Sequence, residues 1–405
     1  MTSWIMLAGA ALVALITLNP KLLRNADWRA TVTPLASIIG SGFLIAGPIL
    51  GDASGRLAPF AMFGLCATGW LFGSAIRYNI RHAEPLIDPD GSPLWLERID
   101  KASDLALALA YFVSVAYYLN LFAAFGLRMA NIEAETAVRW LSVGVIATLG
   151  SIGTLRGLRW LENIELPAVG LKLALISGLL MALVVSFVLA ISNGQLSIPH
   201  IDHPRGMHEI GVLLGLVILV QGFETSRYLG HSYDRQTRIR SMRNAQIIAT
   251  AVYVPFITMM TPYFLANPIE GKLSETAIID ILQPLGWAVA PVIIATALAS
   301  QLSAAVADMN GAGGLIRSAS SNRINVKWGY AATATISILI TLTANIFEII
   351  VYASKAFVFY YALQSATALV LALQKERRNL VRAAFYALAV MIAIAVLALG
   401  VPAEG

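Results

Sequence analysis

Long apolar runs separated by short polar stretches follow one another from residue 4 to residue 400. A helix needs about 20 apolar residues to cross about 30 Å of hydrocarbon. By that measure the chain predicts spans near 4–19, 33–50, 58–80, 104–128, 136–154 and 164–192. The second half adds 209–230, 243–266, 284–312, 326–343, 346–373 and 380–400. These are about twelve transmembrane helices, and no stretch between them is long enough to form a soluble domain. The pattern predicts an all-α polytopic membrane protein whose chain, 1–405, is one transmembrane domain.

Composition agrees. Hydrophobic residues make up 58% of the chain and charged residues 13%, against roughly 25% charged in a soluble domain. The lipid bilayer is therefore its first partner. Cys66 is the only cysteine, which excludes a disulfide within the chain. The net charge of +5 does not point to nucleic acid, because its placement follows membrane topology.

Cytoplasmic loops are enriched in Lys and Arg. With residues 20–32 placed inside and sides alternating from there, twenty of these residues lie inside and five outside. The inside set runs from Lys21 and Arg24 through Arg81, Arg235, Arg238 and Arg317 to Lys375, Arg377, Arg378 and Arg382. The outside set is Arg56, Arg128, Arg139, Arg205 and Lys272. Both termini then face outward. The run 4–19 has its charges after it, at Lys21 and Arg24, whereas a signal peptide has a basic segment before its apolar run. It is read as a retained helix.

Two spans carry residues that a plain lipid-facing helix avoids. Gly40-Ser41-Gly42 lies in mid-span, where each glycine weakens a helix by about 1 kcal/mol relative to alanine. A break there frees backbone groups for a solute; the alternative is close helix packing through small residues. The second span holds Gln221-Gly222-Phe223-Glu224-Thr225-Ser226-Arg227. Charges at this depth cost about 2.5–3.5 kcal/mol each, so they pair or line a cavity. Glu224 and Arg227 could form a structural pair, or Glu224 could stand beside a binding site.

With these residues in view, "IIGSGFLIAGP" resembles the first helix of the amino acid–polyamine–organocation (APC) superfamily, whose fold is the LeuT-like inverted repeat. "GFETSRYLG" followed by "RQTRIRSMRNAQ" is similar to that family's sixth helix and following loop. "TLRGLRWLENIELPAVGLKLALI" resembles its fourth-to-fifth segment, and "SQLSAAVADMNGAGGLIRSASSNR" its eighth helix and exit. The likeness spans roughly 33–375. It implies a 5+5 inverted repeat, 33–192 and 209–373, with an extra helix and loop before it (1–32) and an extra helix after it (374–405). The single helix after the core, the extra one before it, and His231-Ser232-Tyr233-Asp234 where an acidic pair is common depart from the family pattern.

The repeat predicts that residues half a length apart are equivalent. Ser41 and Gly222 lie 181 apart, and Lys172 and Lys355 lie 183 apart. The resemblance implies that the Lys172 ammonium occupies the place where sodium-driven relatives hold their ion, and buried lysines can carry protons. Carbonyls near Ile39 and Gly40 and the hydroxyls of Ser300 or Ser303 are its expected acceptors. Lys355 could pair with Glu348, face an anionic substrate or snorkel outward. Asp308, a little over one turn past Ser303, could pair with a cation or relay protons.

The expected substrate-binding set is therefore Ile39, Gly40, Ser41, Gly42, Gln221, Gly222, Phe223 and Glu224. Lys172, Ser300 and Ser303 are the expected coupling residues, and Asp308, Lys355 and Arg227 candidates for gating or charge relay. Ser41 and its neighbouring amides are expected to hold a carboxylate, and carbonyls near Gln221 and Gly222 an amine. One of Tyr111, Tyr117, Tyr118 and Asn120 is expected to reach the substrate. Most of Tyr352, Phe357, Phe359, Tyr360 and Tyr361 reads as packing. His200, His203 and His208 read as a solvated loop rather than a metal site, and no nucleotide-binding or hydrolase motif appears. No cofactor is expected beyond a proton as coupling ion. The whole implies a non-enzymatic secondary transporter of amino acids or related small amines in a bacterial-type inner membrane. The rival is a membrane sensor or complex subunit that keeps the transporter fold without transporting.

Overall fold

The computed structural model describes all residues except 88–92, 194–205, 231, 267–272, 321–322, 375–378 and 404–405, and all described side chains except those of 41 and 159–168. The Ser41 side chain, His200, His203, His231, Arg205, Lys272, Lys375, Arg377 and Arg378 thus lie outside the described parts. Every regular element among the described residues is helical. In chain order they are α1 (Thr2–Thr17), α2 (Pro20–Leu23), α3 (Ala26–Ser54), α4 (Ala58–His82), α5 (Leu94–Arg128), α6 (Glu135–Arg156) and α7 (Arg159–Ser192). Then come α8 (Met207–Gly215), α9 (Arg235–Ala266), α10 (Ile278–Ile281), α11 (Val289–Ala319), α12 (Val326–Thr343), α13 (Ile346–Leu373) and α14 (Leu380–Leu399).

Several helices start well before the apolar run that predicts them: α3 at Ala26, α5 at Leu94, α9 at Arg235. Hydropathy marks only the part that can lie in hydrocarbon, whereas backbone hydrogen bonding carries the helix on into polar sequence. Local signals fix several starts. Asn25, Asn325, Asn345 and Asn379 each accept a hydrogen bond from a first-turn amide of α3, α12, α13 and α14, which satisfies a donor that the helix leaves open.

Helix α5 packs on α11 and α13, α3 runs beside α9, and α14 covers α13. The extra helix α1 lies along α7. There Gly9 and Gly178 let backbones touch: a Cβ on Gly178 would stand 2.3 Å from the Met6 carbonyl. Contacts between loops respect the sides that the charge pattern assigns. On the basic side Arg238 makes a two-pronged bond to Glu84 (2.9 and 2.7 Å) and Arg227 pairs with Asp100. On the opposite side Trp4 meets Trp287 edge-on at 6.1 Å and Val401 N donates to Gly211 O. Both chain ends therefore stand on the face opposite the arginine-rich loops.

One expectation is corrected here. The first core helix is not broken at Gly40-Ser41-Gly42, because α3 continues as α-helix from Ala26 to Ser54. Its glycines serve close packing instead. A Cβ on Gly42 would come within 2.9 Å of Leu219 Cα, one on Gly47 within 2.1 Å of Met260 Sδ, and one on Gly51 within 2.6 Å of the Phe264 ring.

Candidate functional site

The break expected in the second span is present. Helix α8 ends at Gly215, a 3-10 turn covers Val217–Val220, Gln221 is extended, and a second 3-10 stretch covers Phe223–Leu229. Gly222 joins the halves with φ +117°, a conformation that side-chain-bearing residues rarely adopt. It also lies against α3: a Cβ there would sit 2.6 Å from Ile38 N and from the Ser37 carbonyl carbon. Glycine is thus required twice over, by backbone angle and by space.

The break sets polar side chains in the buried interior. Glu224 is fully buried. Its Oε2 accepts from Gly222 N at 2.9 Å and from the Tyr361 hydroxyl at 2.7 Å. Gln221 donates through Nε2 to the Tyr118 hydroxyl at 2.8 Å. The other oxygens of these two side chains, Gln221 Oε1 and Glu224 Oε1, are buried without a hydrogen-bond partner among the described residues. An unmet buried acceptor costs about 1–3 kcal/mol, so a pair of them beside a helix break suits a donor-rich ligand. Aromatic rings wall this centre. Tyr361 stacks between Phe72 and Phe223, each 5.1 Å away, and Phe357 and Tyr360 lie beside it.

A second polar cluster lies on the other side of α3. Lys172 Nζ, with its side chain almost wholly buried, donates to Ala36 O at 2.8 Å and to Ser300 Oγ at 3.2 Å. Gly40 makes room for it: a Cβ there would meet Ala304 Cβ at 3.3 Å, Ser300 Oγ at 3.4 Å and Lys172 Nζ at 3.5 Å. The structure thus brings Gly40, Lys172 and Ser300 together, with Ala36 supplying a carbonyl. Ser303 is half-buried one turn further along α11, and Ile39 is buried on α3.

Other expected roles are corrected. Glu224 and Arg227 do not form a pair: Arg227 turns to Asp100 and lies 5.7 Å from the Tyr228 ring, while Tyr361 holds Glu224. Asp308 is buried with Ser114 as its hydrogen-bonding partner, not a cation. Lys355 is half-buried with no ion pair among the described residues, and Glu348 instead caps its own helix by bonding Asn345 N. The carboxylate cradle at Ser41 lacks free amides here, because residues 40–42 lie inside a continuous helix. On α13, Phe357, Tyr360 and Tyr361 are buried, whereas Tyr352 and Phe359 are 48% and 49% exposed. The helical period separates those two faces, so this set was partly readable; the Tyr361–Glu224 bond was not. Tyr118 is the member of its set that touches the break, while Asn120 bonds Thr341 and Ala116 O. No cluster of metal-ligating side chains occurs among the described residues.

Comparison with known proteins places this geometry. A protein of Aquifex aeolicus (strain VF5), described as uncharacterized, is 39% identical over 381 residues, covering 93% of this chain and 92% of its own. A solved structure of a Na+-coupled sialic acid symporter in a substrate-bound outward-open state superposes with a TM-score of 0.55 at 14% identity. That likeness covers 100% of this chain and 98% of that one, and it shows a shared LeuT-like fold. A family model described as APC superfamily transporter matches residues 20–400, nearly the whole of the helical array built around the broken span, and the chain accordingly belongs to the APC superfamily of transporters, as a multi-pass membrane protein.

Proposed function

We propose that the chain is a secondary active transporter of amino acids or related small amines, coupled to protons, working by alternating access in a bacterial-type inner membrane. Two five-helix repeats, 33–192 and 209–373, form its core. The observation that carries the reading is the pair of buried acceptors without partners, Gln221 Oε1 and Glu224 Oε1, at the break beside Gly222. An ammonium group supplies the donors these oxygens lack. The ammonium is thus the recognised part of the substrate.

Coupling rests on Lys172. Its ammonium ties α7 to Ala36 O of α3 and to Ser300 of α11, so gain or loss of its proton changes how three helices are held. Asp308 and Arg227 contribute to the helix contacts around this centre through Ser114 and Asp100.

The test uses purified protein, screened by thermal shift against amino acids and amines and then reconstituted into liposomes. A ligand stabilises the state that it binds, so an amine raises the melting temperature of the parent but not of Glu224→Gln. A pH gradient drives accumulation in the parent, whereas Lys172→Gln binds but does not concentrate substrate. Full pH-driven accumulation in Lys172→Gln would sink the coupling role. No shift with any amine, and no flux, would move the reading to a sensor or subunit.

A further inference from the structure

The break in the second span is bridged from outside by one helix. Ser354 of α13 is fully buried. Its Oγ donates to Gly215 O at 2.6 Å and accepts from Ile218 N at 3.0 Å, one group on each side of the point where α8 gives way to the 3-10 turn. Seven residues on, Tyr361 holds Glu224 beyond the break. Positions seven apart share a helix face, so one face of α13 splints both halves of the interrupted span.

This contact has a counterpart. Lys172 of α7 holds Ala36 O of α3. Ser354 lies 182 residues after Lys172, and Gly215 lies 179 after Ala36. Each proposed repeat therefore uses a buried polar side chain of its last helix to grip a backbone carbonyl of its first. Ser354 precedes by one residue the lysine that sequence spacing pairs with Lys172. The two grips sit toward opposite faces. Lys172 follows the start of α7 on the basic side; Ser354 lies eight residues into α13 from its outer end, about 12 Å at 1.5 Å per residue.

We propose that Ser354 is the outer positioning residue of the transport cycle. Its hydroxyl pins the outer half-helix α8 to α13 while the outer side is closed, and this pin must release before a substrate reaches Gln221 and Glu224 from outside. The inference rests on the alternating-access reading above, and its test needs neither substrate nor flux.

The experiment places a reporter cysteine at Leu216, buried on the half-helix, in full-length Cys66→Ala protein in liposomes of known orientation. A membrane-impermeant thiol reagent is added from outside. Each buried hydrogen bond lost shifts a two-state population by roughly threefold to tenfold, and Ser354→Ala and Ser354→Gly remove two, so each raises the labelling rate by about tenfold or more. Ser354→Thr, which restores the hydroxyl, returns the parent rate. Reagent trapped inside labels Ser354→Ala no faster than the parent, which separates release of an outer pin from general loosening. Unchanged outside labelling in both Ser354→Ala and Ser354→Gly overturns the proposal. So does acceleration from both sides, or a rate in Ser354→Thr as high as in Ser354→Ala. Failure of the amine screen with success here would leave the pin standing and remove only the substrate assignment.

Discussion

Helix α3 and the interrupted span 207–229 present nearly the same signal, glycine in the middle of an apolar run, and resolve it in opposite ways. In α3 the glycines are surfaces. Gly42 receives Leu219, and Gly40 leaves room for Ala304, Ser300 and the Lys172 ammonium. Its backbone stays α-helical from Ala26 to Ser54 with Pro34 and Pro48 inside it, and its carbonyls at Ala36 and Ile38 also accept from Lys172 and Tyr253. In the second span Gly222 is a hinge, with φ +117°; Ser354 takes the backbone groups of Gly215 and Ile218, and Tyr361 and Tyr118 hold the Glu224 and Gln221 side chains. A glycine weakens a helix by only about 1 kcal/mol, too little to break one by itself. The partners differ: α3 offers carbonyls to Lys172 and Tyr253 and stays helical, whereas Ser354 of α13 takes both a carbonyl and an amide where α8 ends.

Substitutions at the glycines and at the splint sharpen this contrast. The largest effect is expected at Gly222. Ala there meets a forbidden backbone angle and stands 2.6 Å from Ile38 N; strain of about 1–3 kcal/mol adds to overpacking of about 1–3 kcal/mol. Gly222→Ala should yield little folded protein by size-exclusion chromatography in detergent, and a normal profile would show that the hinge is not needed. Gly42→Ala comes next. Its Cβ clashes with Leu219 at the backbone, so overpacking of about 1–3 kcal/mol outweighs the gain of about 1 kcal/mol in helix propensity. A lowered apparent melting temperature is expected, whereas a rise would mean that the two spans do not touch so closely.

Tyr361→Phe removes one donor from Glu224 and leaves the ring stack in place. The loss is about 1 kcal/mol in stability. Because Glu224 then has one more acceptor to fill, amine binding in the thermal-shift assay tightens or holds while amine-free stability falls. Weakened binding at unchanged stability would place Tyr361 on the ligand instead. Gly40→Ala is expected to be the mildest: the contacts of 3.3–3.5 Å are tight but lie at side-chain ends, and helix propensity improves. Stability stays within about 1 kcal/mol, and any change should appear in the pH dependence of uptake through displacement of Lys172.

Much of the architecture was legible in the chain. The apolar runs locate the spans, and the Lys and Arg bias sorts the loops into two sets whose described contacts, such as Arg238–Glu84 and Trp4–Trp287, fall within a set. The Gln221–Arg227 interruption was readable because charge and glycine coincide in a membrane helix. The bonding pattern was not. Arg227 looked nearest to Glu224 by sequence, yet Asp100 on another helix takes it; Ser354, which carried no signal in the sequence, bonds Gly215 O and Ile218 N.

The sequence by itself thus determined the membrane class, most helix positions, the grouping of the loops into two sets and the site of the break. These depend on hydropathy, charge and backbone freedom, which act locally along the chain. Only the tertiary structure decided that α3 stays whole, that Tyr361 and Tyr118 reach Glu224 and Gln221, and that two oxygens are left without donors. Those outcomes depend on which helices come within about 3 Å of one another, and a hydrogen bond between residues more than a hundred positions apart leaves no mark on the local pattern of either one.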